Sequence, residues 1–189
     1  MNENRKTLNA EGINKLLLDE YFCLVDTLFS EKSPILIPNC SIDHAAVINQ
    51  LIVKHAPDNG NVYFFSKNFD PVCFEKPCFL EQVKSALKRN IRFHLACTEK
   101  CKSPNFLQLL GLNGEKQDVS RECTATSLHE FHENALVPLS DKTKKELNFS
   151  TNDIAVRVEK DASVAVGDVS GNDPSAAQKL IQIFNLACS

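Results

Sequence analysis

Apolar residues recur at helical spacing in several long segments of the chain. Residues 10–30 predict an amphipathic helix, because one side carries Ile13, Leu16, Leu17, Tyr21, Leu24, Val25 and Leu28. The same periodicity predicts helices over residues 41–56 and 77–90. A shorter helix is expected over residues 103–114, where glycines end it. The last helix should begin at Pro174, behind an Asn172 or Asp173 cap.

Short segments rich in β-branched and aromatic residues lie between these helices. The sequence NVYFFS at residues 61–66 predicts the clearest strand, and residues 33–39 and 91–98 predict two more. Residues 153–159 and 163–169 predict a hairpin that turns at Lys160-Asp161. Weaker signals place one strand near residues 122–126 and a strand or helix start at ALVPLS, residues 135–140.

The order of these elements predicts an α/β fold. Strand, helix and strand follow one another over residues 61–98, which indicates parallel pairing through a crossover helix. We therefore expect a mixed, mainly parallel central sheet with helices on both faces, followed by a C-terminal hairpin and a closing helix. Residues 1–32 should form an amphipathic helix that is part of the domain or docked on it, and residues 33–189 a single α/β domain.

Composition restricts the partners and the compartment. The net charge is −3 and the basic residues are dispersed, so no nucleic-acid partner is expected. No apolar run approaches the roughly 18–20 residues of a membrane span, and the polar N-terminus does not resemble a secretory signal. A cytoplasmic location is therefore predicted, in which the eight cysteines are thiols.

Metal and cysteine chemistry are both weakly supported. The pairs Cys97/Cys101 and His129/His132 have permissible ligand spacings, but they lie about 30 residues apart and neither forms a compact knuckle. A nucleophilic cysteine needs a basic partner, and no histidine is singled out for that role. His44 lies in the first turn of its helix, where it could line a pocket or face solvent. We expect no metal and no cofactor.

Sequence motifs for phosphate binding and serine catalysis are missing. The chain contains no GxxxxGK[ST], no GxGxxG and no GxSxG. Helix N-termini at residues 41–43 and 170–173 could hold an anion. Both carry aspartates, which favour capping over anion binding.

The C-terminal part of the chain resembles a known family. Residues 155–159 read Ala-Val-Arg-Val-Glu, residues 164–166 read Val-Ala-Val, and Asn-Asp-Pro at 172–174 precedes the closing helix. Together with a strand that ends at Ser66 and an Asp-Pro turn, this pattern is similar to degenerate phospholipase-D-like half domains of small bacterial proteins. The resemblance spans about residues 33–187.

The resemblance implies the fold without the reaction. Active members of the family use His-x-Lys followed by an aspartate, and this chain has no His-x-Lys. If Asp153 is aligned with that aspartate, Glu146 and Asn148 stand where the histidine and lysine would be. We therefore expect a pseudoenzyme with no catalytic residue, and a homodimer is implied by analogy with the half-sized members.

Two functions from different classes follow. The first is a non-catalytic module that binds a protein partner, its own copy or a small ligand. The alternative is a phosphodiesterase, nuclease-like or thiol-dependent enzyme, with Cys97 among its candidates. The residues predicted to line a cleft are His44, Ser66, Asp153, Asn172 and Asp173.

Overall fold

The computed structural model describes residues 10–97, 101–112, 124–127, 148–161 and 166–187. The helices there are α1 (Ala10–Asn14), α2 (Leu18–Ser30), α3 (Ile42–Lys54), α4 (Pro71–Phe74), α5 (Pro77–Lys88), α6 (Pro104–Leu109) and α7 (Pro174–Ala187). The strands are β1 (Leu36–Asn39), β2 (Asn61–Ser66), β3 (Arg92–Cys97), β4 (Thr124–Ser127), β5 (Phe149–Thr151), β6 (Val156–Asp161) and β7 (Val166–Ser170).

The seven described strands form one mixed sheet in the order β1-β7-β6-β5-β2-β3-β4. This confirms the mixed α/β class, the parallel β2–β3 pair and the C-terminal hairpin of β6 and β7. The expectation of a mainly parallel sheet is wrong, because only β2–β3 and β3–β4 are parallel. The other four pairings are antiparallel. Strand β1 pairs with β7 at the far edge instead of beside β2, so α3 is not a parallel crossover between neighbours.

Helices cover both faces of the sheet, as expected. Alternate side chains of β2 project to opposite faces, so Val62 and Phe64 enter the larger core while Tyr63 and Phe65 enter the smaller one. Among the described helices, α1 to α6 contribute to the larger core, and α7 packs on the other face through Ala177, Leu180 and Phe184.

A cluster of phenylalanines holds the short helices against β2. Phe64 lies edge-on to Phe74, with ring centroids 5.3 Å apart, and Phe106 stacks on Phe74 at 5.4 Å. Phe69 and Phe79 complete the cluster. Edge-to-face and offset pairs of this kind add stability beyond the area that they bury.

The predicted N-terminal helix is divided into α1 and α2. Helix α2 begins after Leu17, and the Glu20 carboxylate accepts a hydrogen bond from the Leu17 backbone N–H at 2.9 Å. Its buried face packs against α3 and belongs to the larger core. The Tyr21 hydroxyl donates to the Pro38 carbonyl at 3.1 Å, which ties α2 to the edge strand β1.

The boundaries of the C-terminal hairpin differ from the prediction. Lys160 and Asp161 lie in β6 and not in the turn, and the register shifts between Glu159 and Asp161. Residues 153–155 precede β6, and the separate strand β5 pairs with β6 across that short turn. A connection this short requires antiparallel pairing, which is one reason why the sheet is mainly antiparallel.

Two basic residues in the C-terminal part of α5 and directly after it, Lys84 and Arg89, have structural partners. The Arg89 guanidinium donates to the carbonyls of Val53, Lys54 and Ala56 at 2.8–3.2 Å, and so caps the C-terminal end of α3. Lys84 pairs with Glu81 on the same helix. In the part of the chain that the structure describes, no helix is both long and apolar enough to cross a membrane.

Acid is expected to weaken the contact between α2 and α3. Burial raises the pKa of Asp26, but hydrogen bonds from Lys54 and His55 outweigh it and hold this pKa below its usual range. A lowered carboxyl pKa stabilises the fold above the pKa of the unfolded chain, about 3.9, and this stability is lost as pH falls through the folded pKa. Denaturant unfolding between pH 7 and pH 3 should show the loss. The Asp26→Asn variant should lose less stability over that range, and an equal loss in both proteins would contradict the assignment.

Candidate polar cavity

A cavity of about 150 Å³ lies where β2 ends and the chain turns into α4. Helix α3 forms one wall, and β5 and β6 form the floor beside β2. Open α/β sheets commonly bind ligands beyond the carboxyl ends of their strands. The cavity is lined by Ile42, Asn49, Phe64, Phe65, Ser66, Lys67, Asn68, Asp70, Cys73, Phe74, Asn148, Phe149, Arg157 and Glu159.

A buried ion pair crosses the floor of the cavity. Arg157 and Glu159 lie two residues apart on β6, so both side chains project from the same face of the strand. Their side chains are 4% and 7% exposed, and Arg157 Nη2 donates to Glu159 Oε1. The positive charge of Arg157 and the negative charge of Glu159 neutralise each other, so neither is left uncompensated in the protein interior.

Two asparagines extend this ion pair into a network. Arg157 Nε donates to Asn39 Oδ1 at 3.2 Å, which links β6 to the edge strand β1. Asn148 Nδ2 donates to Glu159 Oε2 at 2.6 Å, and Asn148 Oδ1 accepts from the Lys67 backbone N–H at 2.7 Å. These hydrogen bonds connect the floor of the cavity on β6 to β1 and to Lys67, the residue that follows β2.

Among the described residues that line the cavity there is one thiol, Cys73, and it is held protonated. Cys73 is buried in α4, and its Sγ lies 3.8 Å from the Ile42 carbonyl oxygen. Burial is the main cause that raises the pKa of Cys73 to about 12, although Arg157 acts in the opposite direction. A thiol with that pKa is a poor nucleophile at neutral pH.

The described histidines do not line the cavity. His44 stacks on Tyr21 with ring centroids 3.8 Å apart, and burial lowers its pKa although the Asp43 charge opposes this. His94 stacks on Tyr63 at 4.3 Å on the other face of the sheet. Burial and then Arg92 lower its pKa. His129 and His132 lie outside the described residues.

Of the five residues predicted to line a cleft, Ser66 lies in the wall of this cavity. Asp153 lies in the turn before β6, with a φ of 72°. Asn172 follows β7, where its backbone N–H donates to Ser170 Oγ. Asp173 is buried and its carboxylate accepts from the Ala176 backbone N–H, as an N-cap of α7 does. His44, the fifth of these residues, stacks on Tyr21. The structure therefore does not bring the five residues together in the cavity.

The substitution Asp153→Gly is expected to stabilise the protein, because Asp153 lies in a turn with a positive φ. A positive φ is costly for residues other than glycine, and Asp153→Gly should raise the free energy of unfolding by up to about 1 kcal/mol. The matched variant Asp153→Val, with a β-branched side chain, should lower it by about 1–2 kcal/mol. Chemical denaturation of both variants provides the test. A destabilised glycine variant would indicate that the carboxylate of Asp153 makes a contribution of its own.

The sequence prediction missed the residues that form the floor. Arg157 and Glu159 lie two positions apart in a predicted strand, so their side chains project from the same face. Two charged residues on one face of a buried strand need partners, and this spacing could have indicated a polar site. Asn49 lies in the middle of an apolar helix, where an isolated amide is likewise a signal. Glu146 lies outside the described residues, whereas Asn148 is at the cavity.

Metal-ligand geometry is not found in the described ranges. No group of three or more histidine, cysteine, aspartate or glutamate side chains there could hold a metal ion. Cys97 and Cys101 are both described, but residues 98–100 between them are not. Burial is the main cause that raises the pKa of Cys97, to about 11, so this thiol is also protonated at neutral pH.

The fold and the cavity define a mixed α/β domain with a small polar cavity at a strand end. No known family model matches the chain, and no curated protein is significantly similar to it. Among solved structures, the chain is similar to a phospholipase D family member, Nuc from Salmonella typhimurium, at 10% identity and a TM-score of 0.43. The match covers 75% of this chain and 84% of that chain. A TM-score in this range does not establish a shared fold, so membership in that family stays a prediction.

Proposed function

We propose that this protein is a non-catalytic binding module that holds a small polar molecule in the cavity at the end of β2. One observation carries the proposal: the buried side chains of Asn49 and Arg157 line the cavity and are held by hydrogen bonds, and the one thiol among its described lining residues is held protonated. Fixed polar groups in a small concave site are typical of ligand binding. An active site would need a nucleophile and a base within hydrogen-bond reach.

The charges in the floor also favour binding over phosphoryl chemistry. A phosphodiesterase of the predicted alternative class needs uncompensated positive charge to stabilise the phosphate oxygens. In this cavity Glu159 already neutralises Arg157. A thiol-dependent enzyme would need a cysteine with a lowered pKa, and the pKa of Cys73 is raised.

Native mass spectrometry of the purified full chain tests the proposal. The protein should carry a small molecule, or bind one from a library of small polar metabolites with a rise in melting temperature. The Ser66→Leu variant should bind at least tenfold more weakly, because the larger side chain fills the cavity. Ser85→Leu is the matched control, since Ser85 is exposed on α5, and it should bind normally.

Two results would overturn the proposal. One is the lack of any bound molecule, both in the purified protein and after the library screen. The other is steady hydrolysis of a phosphodiester such as bis(p-nitrophenyl) phosphate that disappears when one histidine is changed to alanine.

The homodimer, the bacterial origin and the cytoplasmic location stay predictions, and the binding proposal does not depend on them. Light scattering after gel filtration measures the oligomeric state directly. A dimer would leave a protein partner or a second copy as a further role beside ligand binding.

A further inference from the structure

Two hydrogen-bond donors in the cavity have no acceptor within the described chain. Arg157 bonds through Nε and Nη2, which leaves Nη1 available. Asn49 Oδ1 accepts from Ser150 Oγ at 2.8 Å, which leaves the Asn49 amide nitrogen available. No fully buried side-chain nitrogen or oxygen of the described residues lacks a partner. Since both residues line the cavity, these two nitrogens are open to it.

Both donors belong to side chains that are otherwise buried. Asn49 is 2% exposed and Arg157 is 4% exposed, so the cavity is the route by which their free N–H groups reach a partner. Because the two nitrogens have no acceptor within the described chain, their partner must be water or a ligand in the cavity. A ligand that places an acceptor oxygen between them replaces that water, and a carboxylate accepts from guanidinium and amide groups alike.

The charges around the cavity restrict the net charge of the ligand. Among the described residues that line the cavity, those that carry charge are Arg157, Lys67, Glu159 and Asp70, two cations and two anions whose charges sum to zero. A phosphate group would add about two negative charges to this balanced and partly buried site, which is costly. A zwitterion brings an acceptor carboxylate and adds no net charge.

We propose that the ligand is a small free amino acid, and this inference rests on the binding function proposed above. Its carboxylate accepts from Arg157 Nη1 and from the Asn49 amide, and its ammonium group faces the carboxylates of Glu159 and Asp70. The size agrees, because a cavity of about 150 Å³ holds about one benzene molecule, or roughly six heavy atoms. Glycine, alanine and serine are close to that size, with about five to seven heavy atoms each.

Isothermal titration calorimetry of the purified full chain provides the test. The probes are these three amino acids, their methyl esters, which lack the carboxylate, their N-acetyl derivatives, which lack the ammonium group, and inorganic phosphate. At least one amino acid should bind, its ester and its N-acetyl derivative at least tenfold more weakly, and phosphate not measurably.

A near-isosteric variant identifies the donor. Asn49→Asp keeps an oxygen to accept from Ser150 and replaces the free amide nitrogen with a second oxygen, so affinity for the amino acid should fall at least tenfold. The double variant Arg157→Met/Glu159→Met removes the other donor without leaving a buried charge, and it should also lose binding. Circular dichroism confirms folding of both, and the exposed-site variant Ser85→Leu should bind as the parent does.

The outcomes separate this inference from the binding function. If phosphate or an uncharged molecule binds and Ser66→Leu blocks it, the amino-acid inference is wrong and the binding module stands. Equal affinity for an amino acid and its methyl ester also overturns the inference alone. If no amino acid and no other small molecule binds, both proposals are wrong.

Discussion

Replacing Arg157 alone by methionine is expected to lower the free energy of unfolding by about 3–5 kcal/mol. The variant leaves Glu159, whose side chain is 7% exposed, without the cation that neutralises it. Asn39 and Asn148 then retain only part of the network that joins β1, β6 and the start of β5. The loss is a large share of the 5–15 kcal/mol that stabilises a typical domain. Urea denaturation at pH 7 measures it.

The double variant is the control for this prediction. Arg157→Met/Glu159→Met replaces a buried ion pair by apolar side chains of similar volume, and such exchanges are often neutral or stabilising. We expect its free energy of unfolding to lie within about 1 kcal/mol of the parent value. If the single variant is as stable as the double variant, the charge of Glu159 is not buried and the described network does not stabilise the floor.

Replacing Gly167 by alanine is expected to destabilise the protein by more than about 2 kcal/mol, for a steric reason. Gly167 lies opposite Glu159 on β6 and opposite Asn39 on β1. A Cβ atom at this position would overlap the Val158 carbonyl oxygen and approach Glu159 Cα at 2.9 Å. These are backbone atoms, so the overlap is relieved only if the strands separate beneath the cavity floor.

Gly12→Ala is the matched control, because nothing lies within 4 Å of a Cβ atom there. Gly12 is in α1, where alanine is favoured over glycine by roughly 0.5–1 kcal/mol. Thermal unfolding of both variants should therefore shift in opposite directions. A Gly167→Ala variant with the parent's melting temperature would show that β6 and β7 are farther apart than described.

Local patterns predicted most of the longer helices because those patterns do not depend on distant partners. The helix over residues 41–56 appears as α3, since its apolar spacing and the Ser41 cap, which accepts from the His44 backbone N–H, are both local. The strand over residues 61–66 was likewise predicted at its observed bounds. The hairpin turn was misplaced, because Lys160 and Asp161 look like turn residues, whereas β6 continues through both and Asp161 pairs with Val166.

The functional site was much less predictable. Ser66 was the one predicted cleft residue that lines the cavity. The other residues that define it, Asn49, Asn148, Arg157 and Glu159, come from α3, the start of β5 and β6. They meet only because α3 packs on the sheet and because β5 inserts between β2 and β6.

Most of the helices and strands, the mixed α/β class and the lack of a His-x-Lys motif could be read from the sequence alone. These follow from periodicity, capping and residue identity, which act over a few positions. The strand order, the position of β1 beside β7 and the burial of the Arg157–Glu159 pair became known only from the folded chain. Pairing between strands more than about a hundred residues apart depends on which surfaces the whole chain can bury together, and no local pattern records that choice.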